Sequence, residues 1–445
     1  MFDLDLLAEA LRLNIGITMP DNLRLFELLG RIHPLELRAY PSDAEHNGWV
    51  VPKAWTVHRA LVRKDGAVLF DGTAHPMAVA GSSASFSGTI TKEELDRHVF
   101  SSKSFPEAYA FHCMNNYRPW VHHWGLCIPW ATYRDWPAGD YEVDLLTEFT
   151  PGEMLVAEAR HPGASPDTVV FNAHTCHPCQ ANDDLVGVLV ILEMFKRLAG
   201  RKTRWSYLGI LAPEHLGTVF YLAGLSREER SRLKLGCFVE MVGSRGPLVL
   251  QQSFTGRSIM DRVAEQALRA VQPDLKVGSF RSIVGNDETV WEAPGIEVPM
   301  ISVSRWPYPE YHTSRDDMGI VLLESLDQAL DALLSMVDIL EADWVPVRTY
   351  EGLVCLSNPR YNLYVQRPDP VVAKDISPDE LRLGEIQDIL PRSLNGTDTV
   401  FELAERFALP FPLLDAYLRR FVEKGLLEAR PVTSLAQYER TPCRG

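Results

Sequence analysis

Residues 168–195 constrain this chain more than any other stretch. They hold a short apolar run, Thr168-Val-Val-Phe-Asn-Ala173, a polar loop, His174-Thr-Cys-His-Pro-Cys-Gln-Ala-Asn-Asp-Asp184, and a second apolar run over 185–195. The first reads as a buried strand and the second as a buried helix. From about 141 to 345 the pattern repeats. Apolar runs at 205–211, 235–241 and 297–303 alternate with long helical patterns, the last at 322–340. That alternation predicts βαβ units and a doubly wound, mainly parallel α/β sheet. Such sheets hold ligands at the carboxyl ends of their strands. Three polar loops end apolar runs there: 174–184, Ala212-Pro-Glu-His-Leu-Gly217 and Tyr311-His-Thr-Ser-Arg-Asp-Asp317.

The rest of the chain changes character twice. Residues 45–140 are rich in Trp, Tyr, His, Gly and Pro, with short alternating runs such as 60–70, a hairpin turning at Asp65-Gly66. They read as a small β-rich insertion, which leaves 1–44 and 141–345 as the α/β domain. Helices are expected near 6–13 and 22–30. Residues 346–374 read as a connector and 375–445 as a winged-helix domain. Its helices are placed at 381–390, 400–407 and 412–424, and a wing-like hairpin begins at Gly425.

Composition excludes several classes. A net charge of −15, from 44 basic and 59 acidic residues, argues against nucleic acid or an anionic membrane surface as the main partner. Between 375 and 431, seven Arg or Lys stand against eleven Asp or Glu. That is a poor charge for a DNA-binding tail, so the tail reads as a packing or homo-oligomerisation module. No apolar run reaches the ~20 residues of a membrane span, and the start Met1-Phe-Asp-Leu-Asp carries acids where a signal peptide needs bases. Seven cysteines, an odd number thinly spread over 445 residues, form no disulfide framework and point to a reducing cytoplasm.

The loop residues are weighed against blander roles. Asp183 and Asp184 precede a helix and suit N-terminal capping. With His174 and His177 upstream they equally suit a metal, since imidazole and carboxylate leave zinc an open catalytic position. Cys176-His-Pro-Cys179 offers a rival, a C-x-x-C redox pair after a strand. Glu214 is either a loop carboxylate or the general base that takes a proton from activated water. Glu240 closes a buried apolar run and needs a partner, of which a cation is one. His312 is either a turn residue or a ligand, with Asp316 and Asp317 available to orient its second nitrogen.

Together these motifs resemble the zinc aminopeptidase fold, in the bacterial aminopeptidase-like group with an inserted β-domain and a C-terminal winged helix. The resemblance is carried by Cys176-His-Pro…Ala-Asn-Asp183-Asp-Leu-Val-Gly187, Pro213-Glu214-x-x-Gly217, Gly285-Asn-Asp287-Glu288 and Tyr311-His312-Thr-Ser-x-Asp316, with Trp49 to Trp55 and Trp124-Gly-Leu-Cys127 in the insertion. It spans nearly the whole chain. It implies a metal on His177, Asp183 and His312, with Glu240 a fourth candidate, His174 competing with His177, and Glu214 as base. Asp287 and Glu288 would face the substrate and its amine, joined by Tyr311 and His215. Typical members carry a Glu-Glu pair where this chain has Glu214-His215, and that removes a usual ligand of one metal. The cofactor expected is one zinc ion, or two.

The function expected is zinc-dependent cleavage of a small peptide or amide. A deacylase or amidohydrolase acting on a sugar or natural-product intermediate is the alternative. A DNA-binding regulator and a thiol–disulfide oxidoreductase are the readings from other classes.

Overall fold

A computed structural model describes residues 2–113, 115–365 and 377–439. Parts of the expected connector and C-terminal domain (366–376 and 440–445, with Cys443) fall outside them. The chain divides into two compact units, Met1–Leu333 and Leu334–Gly445.

The first unit is built on an eight-stranded sheet. At its centre Thr168–His174 pairs in parallel with Ser206–Ala212 on one side and Leu233–Val239 on the other. Met300–Ser304 extends the parallel set beyond Leu233–Val239. Strands Glu153–His161 and Glu36–Pro41 continue one flank antiparallel; Val249–Gln251 joins the other, with Lys276–Gly278 outside it. The central strands are buried almost throughout, as strands covered on both faces must be, which is why they read as continuous apolar runs rather than alternating ones. Helix Val186–Leu198 is buried along nearly its whole length, matching the second apolar run. The chain leaves Thr168–His174 for a neighbour on one side and later returns on the other. The strand therefore marks the topological switch point, where a crevice opens at the carboxyl edge.

The insertion forms its own four-stranded antiparallel sheet, ordered Ala67–Asp71, Ala54–Lys64, Asp140–Thr150, Phe86–Thr91. The Asp65-Gly66 turn closes the first hairpin with positive φ at both residues (51° and 80°), the geometry that suits a tight hairpin. Tyr141, Val143 and Leu145 alternate inward from Asp140–Thr150 and pack with Ala60, Val62 and Phe70. The expected boundary at 140 thus falls at the start of a strand that belongs to the inserted sheet.

In the second unit, helices Pro378–Ile386, Val400–Arg406 and Phe411–Glu423 form near the expected places. The wing does not: Leu427–Pro431 pairs antiparallel with Trp344–Arg348 instead of folding back as a hairpin. The basic cluster of the last helix is engaged locally. Arg419 bonds Asp415 at 3.1 Å and lies over the Trp344 ring, while Arg420 lies over Tyr417. Among the described residues no helix is long and apolar enough to cross a membrane.

Candidate metal centre

The loop after Thr168–His174 is braced from within. The Gln180 side-chain oxygen accepts the backbone N–H groups of Cys176 and His177, both at 3.3 Å. The two adjacent aspartates then divide their work. Asp184 accepts the N–H groups of His174 (3.2 Å), Gly187 (3.2 Å) and Met241 (3.0 Å), tying strand, helix start and the next loop together. It fills the capping role. Asp183 turns the other way: its Oδ1 lies 2.9 Å from His174 Nε2, and its Oδ2 lies 3.4 Å from His177 Nε2 and 3.5 Å from His312 Nε2.

His177, Asp183 and His312 offer ligand atoms all within 4.8 Å of one another. His177 Nδ1 is 3.0 Å from the Pro178 carbonyl. To donate there Nδ1 must carry a proton, and in the neutral ring that leaves Nε2 a lone pair. His177 Nε2 and Asp183 Oδ2 are both buried without a hydrogen-bond partner. Lone pairs facing one another in a dry site are costly unless a cation lies among them; the donor set fits zinc. Burial alone would raise the Asp183 carboxyl, yet His174 and His177 hold it below the usual carboxylate range. Burial, and after it the neighbouring His177, push His312 down to about 4, so its imidazole is neutral near pH 7. His174 sits on the opposite Asp183 oxygen, with its Nδ1 3.4 Å from Cys176 Sγ.

The outer residues sort differently from the expectation. Asp316 does not orient His312: it accepts the N–H groups of Asn182 (2.6 Å) and Asp183 (3.1 Å) and the Tyr308 hydroxyl (2.7 Å). It therefore holds the ligand loop by its backbone. Asp317 accepts Gly319 N–H at 2.7 Å. Glu240 stands outside the ligand cluster, with its oxygens on Asn286 Nδ2 (2.7 Å) and the Ser302 hydroxyl (3.1 Å); burial, then Glu288, raises its pKa well above the usual range. Asp287 and Glu288, expected to face the substrate, are held by partners within the protein. Both are fully buried; Asp287 accepts the His215 N–H and the Thr218 hydroxyl, and Glu288 pairs with Gln251 (3.2 Å) and Arg281 (3.4 Å).

Glu214 remains partly exposed at the end of Ser206–Ala212. It accepts the Tyr117 hydroxyl at 3.4 Å, and its other oxygen is 3.4 Å from His215 Nδ1. Burial, the largest influence, raises its carboxyl. His215 stacks on Trp49, and Tyr311 stacks on His312 with ring centroids 3.8 Å apart. The cysteines do not form a redox pair. Cys176 faces His174, Cys179 faces His75, and burial raises both thiols, Cys179 to about 11. A reactive pair needs the opposite shift.

Sequence reasoning missed the insertion's part in this centre. Phe111 stacks on His177 at 4.3 Å, meets His312 edge-on at 5.3 Å, and donates its N–H to the His312 carbonyl at 2.8 Å. Ala110 forms an antiparallel bridge with Thr313, and Tyr109 exchanges hydrogen bonds with Ser314. The insertion's aromatic richness was the one signal of this.

Residues 5–343 match the family described as a domain of unknown function, DUF4910. A Clostridium acetobutylicum protein, named provisionally for polysaccharide biosynthesis with an aminopeptidase-like domain, is 25% identical over 333 residues, 74% of each chain. In three dimensions the chain is similar to a provisionally assigned peptidase from Clostridium acetobutylicum, with a TM-score of 0.79 and 21% identity, over 96% of this chain and 95% of that one. It is also similar to a zinc aminopeptidase from Bacillus subtilis, with a TM-score of 0.57 and 16% identity, over 75% and 92%. The fold is that of the zinc aminopeptidases.

Proposed function

This chain belongs to the DUF4910 family, and from that premise and the centre above we propose that it is a zinc-dependent, aminopeptidase-like hydrolase of a peptide or amide bond. The observation that carries the reading is the meeting of His177 Nε2, Asp183 Oδ2 and His312 Nε2 in one place, two of them buried without a hydrogen-bond partner. Three protein ligands and an open fourth position are the usual form of a catalytic zinc site. The zinc named for the Bacillus subtilis neighbour supports the choice of metal. Zinc bound there would supply a Lewis acid and a nucleophile at neutral pH.

The chain's own residues do the rest. Glu214 takes the proton of the attacking water and hands it to the leaving nitrogen. A carboxyl raised by burial suits this double duty, because it can hold a proton between the two steps. Tyr117 and His215 hold its two oxygens. Asp316 fixes the backbone of Asn182 and Asp183. Asp184 keeps that loop on the helix.

The polysaccharide pathway in the relative's name favours a second reading, deacylation of an N-acyl amino sugar by the same centre. One panel separates them. Aminoacyl anilides should be hydrolysed, the rate should vanish on chelation, and zinc should restore it. Turnover indifferent to chelation overturns the metal reading; turnover of the acyl sugars alone moves the substrate to the second.

A further inference from the structure

A metal-binding imidazole ordinarily has its ring fixed by a hydrogen bond on the nitrogen that faces away from the metal. His177 has such a bond, from Nδ1 to the Pro178 carbonyl at 3.0 Å. His312 has none on its Nδ1 among the described residues. Its neighbours Asp316 and Asp317 are engaged with backbone N–H groups instead. It is also the most open of the three ligands, its side chain 33% exposed against 4% for His177 and 3% for Asp183. Its backbone stands at φ +53°, a left-handed region that a side-chain-bearing residue seldom occupies unless its surroundings hold it there. Within its own loop the ring is met by Tyr311 alone, stacked with centroids 3.8 Å apart.

The insertion supplies what that loop lacks. Phe111 N–H donates to the His312 carbonyl at 2.8 Å, and Ala110 bridges to Thr313. Tyr109 N–H donates to the Ser314 hydroxyl at 3.0 Å, and its carbonyl accepts Ser314 N–H at 2.9 Å. Residues 109–111 are thus a strap along 312–314. From it the half-buried Phe111 ring lies against both imidazoles, stacked on His177 at 4.3 Å and edge-on to His312 at 5.3 Å. Both are arrangements that aromatic rings favour. The two imidazoles stand at 90° to each other, so one flat ring fixes both planes. We propose that Phe111 is a positioning residue for the zinc ligands, and that its strap makes zinc binding and docking of the insertion one coupled event. Phe111 acts through His177 and His312 and touches no reacting atom. Coupling of this kind is reciprocal: the factor that the docked strap adds to zinc affinity, zinc adds to docking of the strap. The proposal rests on the zinc reading above, and its test separates the two.

The native full chain, Phe111→Leu and Phe111→Tyr are titrated with zinc, and amide hydrogen exchange is followed with and without the metal. Leucine keeps bulk without a flat face, whereas tyrosine keeps the ring. Phe111→Leu should weaken zinc binding by roughly 10–100-fold, the usual effect of removing an outer partner of a ligand. Phe111→Tyr should bind zinc as the native chain does. In the native chain, zinc should slow exchange of the Phe111 and Ser314 amides by at least the factor lost in the leucine variant. Exchange at Val143, inside the inserted sheet, reports separately that the insertion is folded; should the leucine variant unfold, exchange in the native chain decides alone. Equal zinc affinity in the native chain and a folded Phe111→Leu overturns the proposal and leaves the zinc reading standing. So does exchange of the two strap amides that is indifferent to zinc. A native chain that binds no zinc overturns both.

Discussion

Asp184 accepts three backbone N–H groups, whereas the Asp183 carboxylate faces three histidine nitrogens. Their substitution should therefore fail in different ways. Asp184→Asn puts an amide N–H against a backbone donor, and urea unfolding of the metal-free protein should show a loss of about 1–3 kcal/mol. Asp183→Asn should act on zinc affinity instead; equal effects of the two on stability would refute the division. Glu214→Gln should keep zinc and fold while turnover falls by ~10²–10⁴. Because burial raises this carboxyl and the base must be deprotonated, kcat/KM of the native chain should rise with pH through an apparent pKa above the ordinary carboxylate value of about 4.3. The Gln variant should lose that limb, and its persistence would assign the limb elsewhere. The sequence made His177, Asp183 and His312 legible as residue types in loops at strand ends. It did not make direction legible. Asp287 and Glu288 follow a glycine in a polar loop just as a substrate-facing pair would, yet Thr218 and Gln251, far away in sequence, claim them.

At the scale of elements, the start of helix Val186–Leu198 is closely packed. A Cβ on Gly187 would stand 2.2 Å from the Val239 carbonyl oxygen and 2.3 Å from Asp184 Oδ1. Backbone on one side and the framework aspartate on the other leave little to yield. Gly187→Ala should cost about 1–3 kcal/mol of overpacking, and the shift it forces on Asp184 should weaken zinc binding as well. A variant with unchanged melting temperature and zinc affinity would show that the helix start is loose. The strands and helix around this point were legible because full burial writes itself as unbroken apolar sequence. The strand expected at 297–303 forms later, at Met300–Ser304, since Glu297 has φ +52° and Pro299 lacks an N–H. The bridge between Ala110 and Thr313 was not legible at all. Pairing two residues about 200 positions apart leaves no periodicity behind.

For the molecule as a whole, the alternation of strand and helix foretold the sheet, while reading the insertion as a separate domain hid its contacts with the centre. The second unit carries a pH dependence of its own. Burial pushes the Asp343 carboxyl up to about 6, although Tyr438 and the N–H groups of Phe401 and Trp344 favour its charged form. The folded state thus holds a proton that the unfolded state releases near 3.9. Stability of this unit should fall as pH rises from about 4 to 6, by roughly 2–3 kcal/mol. Opening free energies from hydrogen exchange at Phe401, corrected for intrinsic rates, should show this slope, and Asp343→Asn should flatten it; an unchanged slope in the variant would clear Asp343 of the effect. The central claim concerns the first unit, and zinc titration of the full native chain beside its His312→Ala variant tests it most directly. The account predicts stoichiometric zinc in the native chain and an affinity loss in the variant beyond the roughly 10–100-fold typical of losing an outer partner of a ligand. Equal zinc content and equal affinity in both proteins would contradict it.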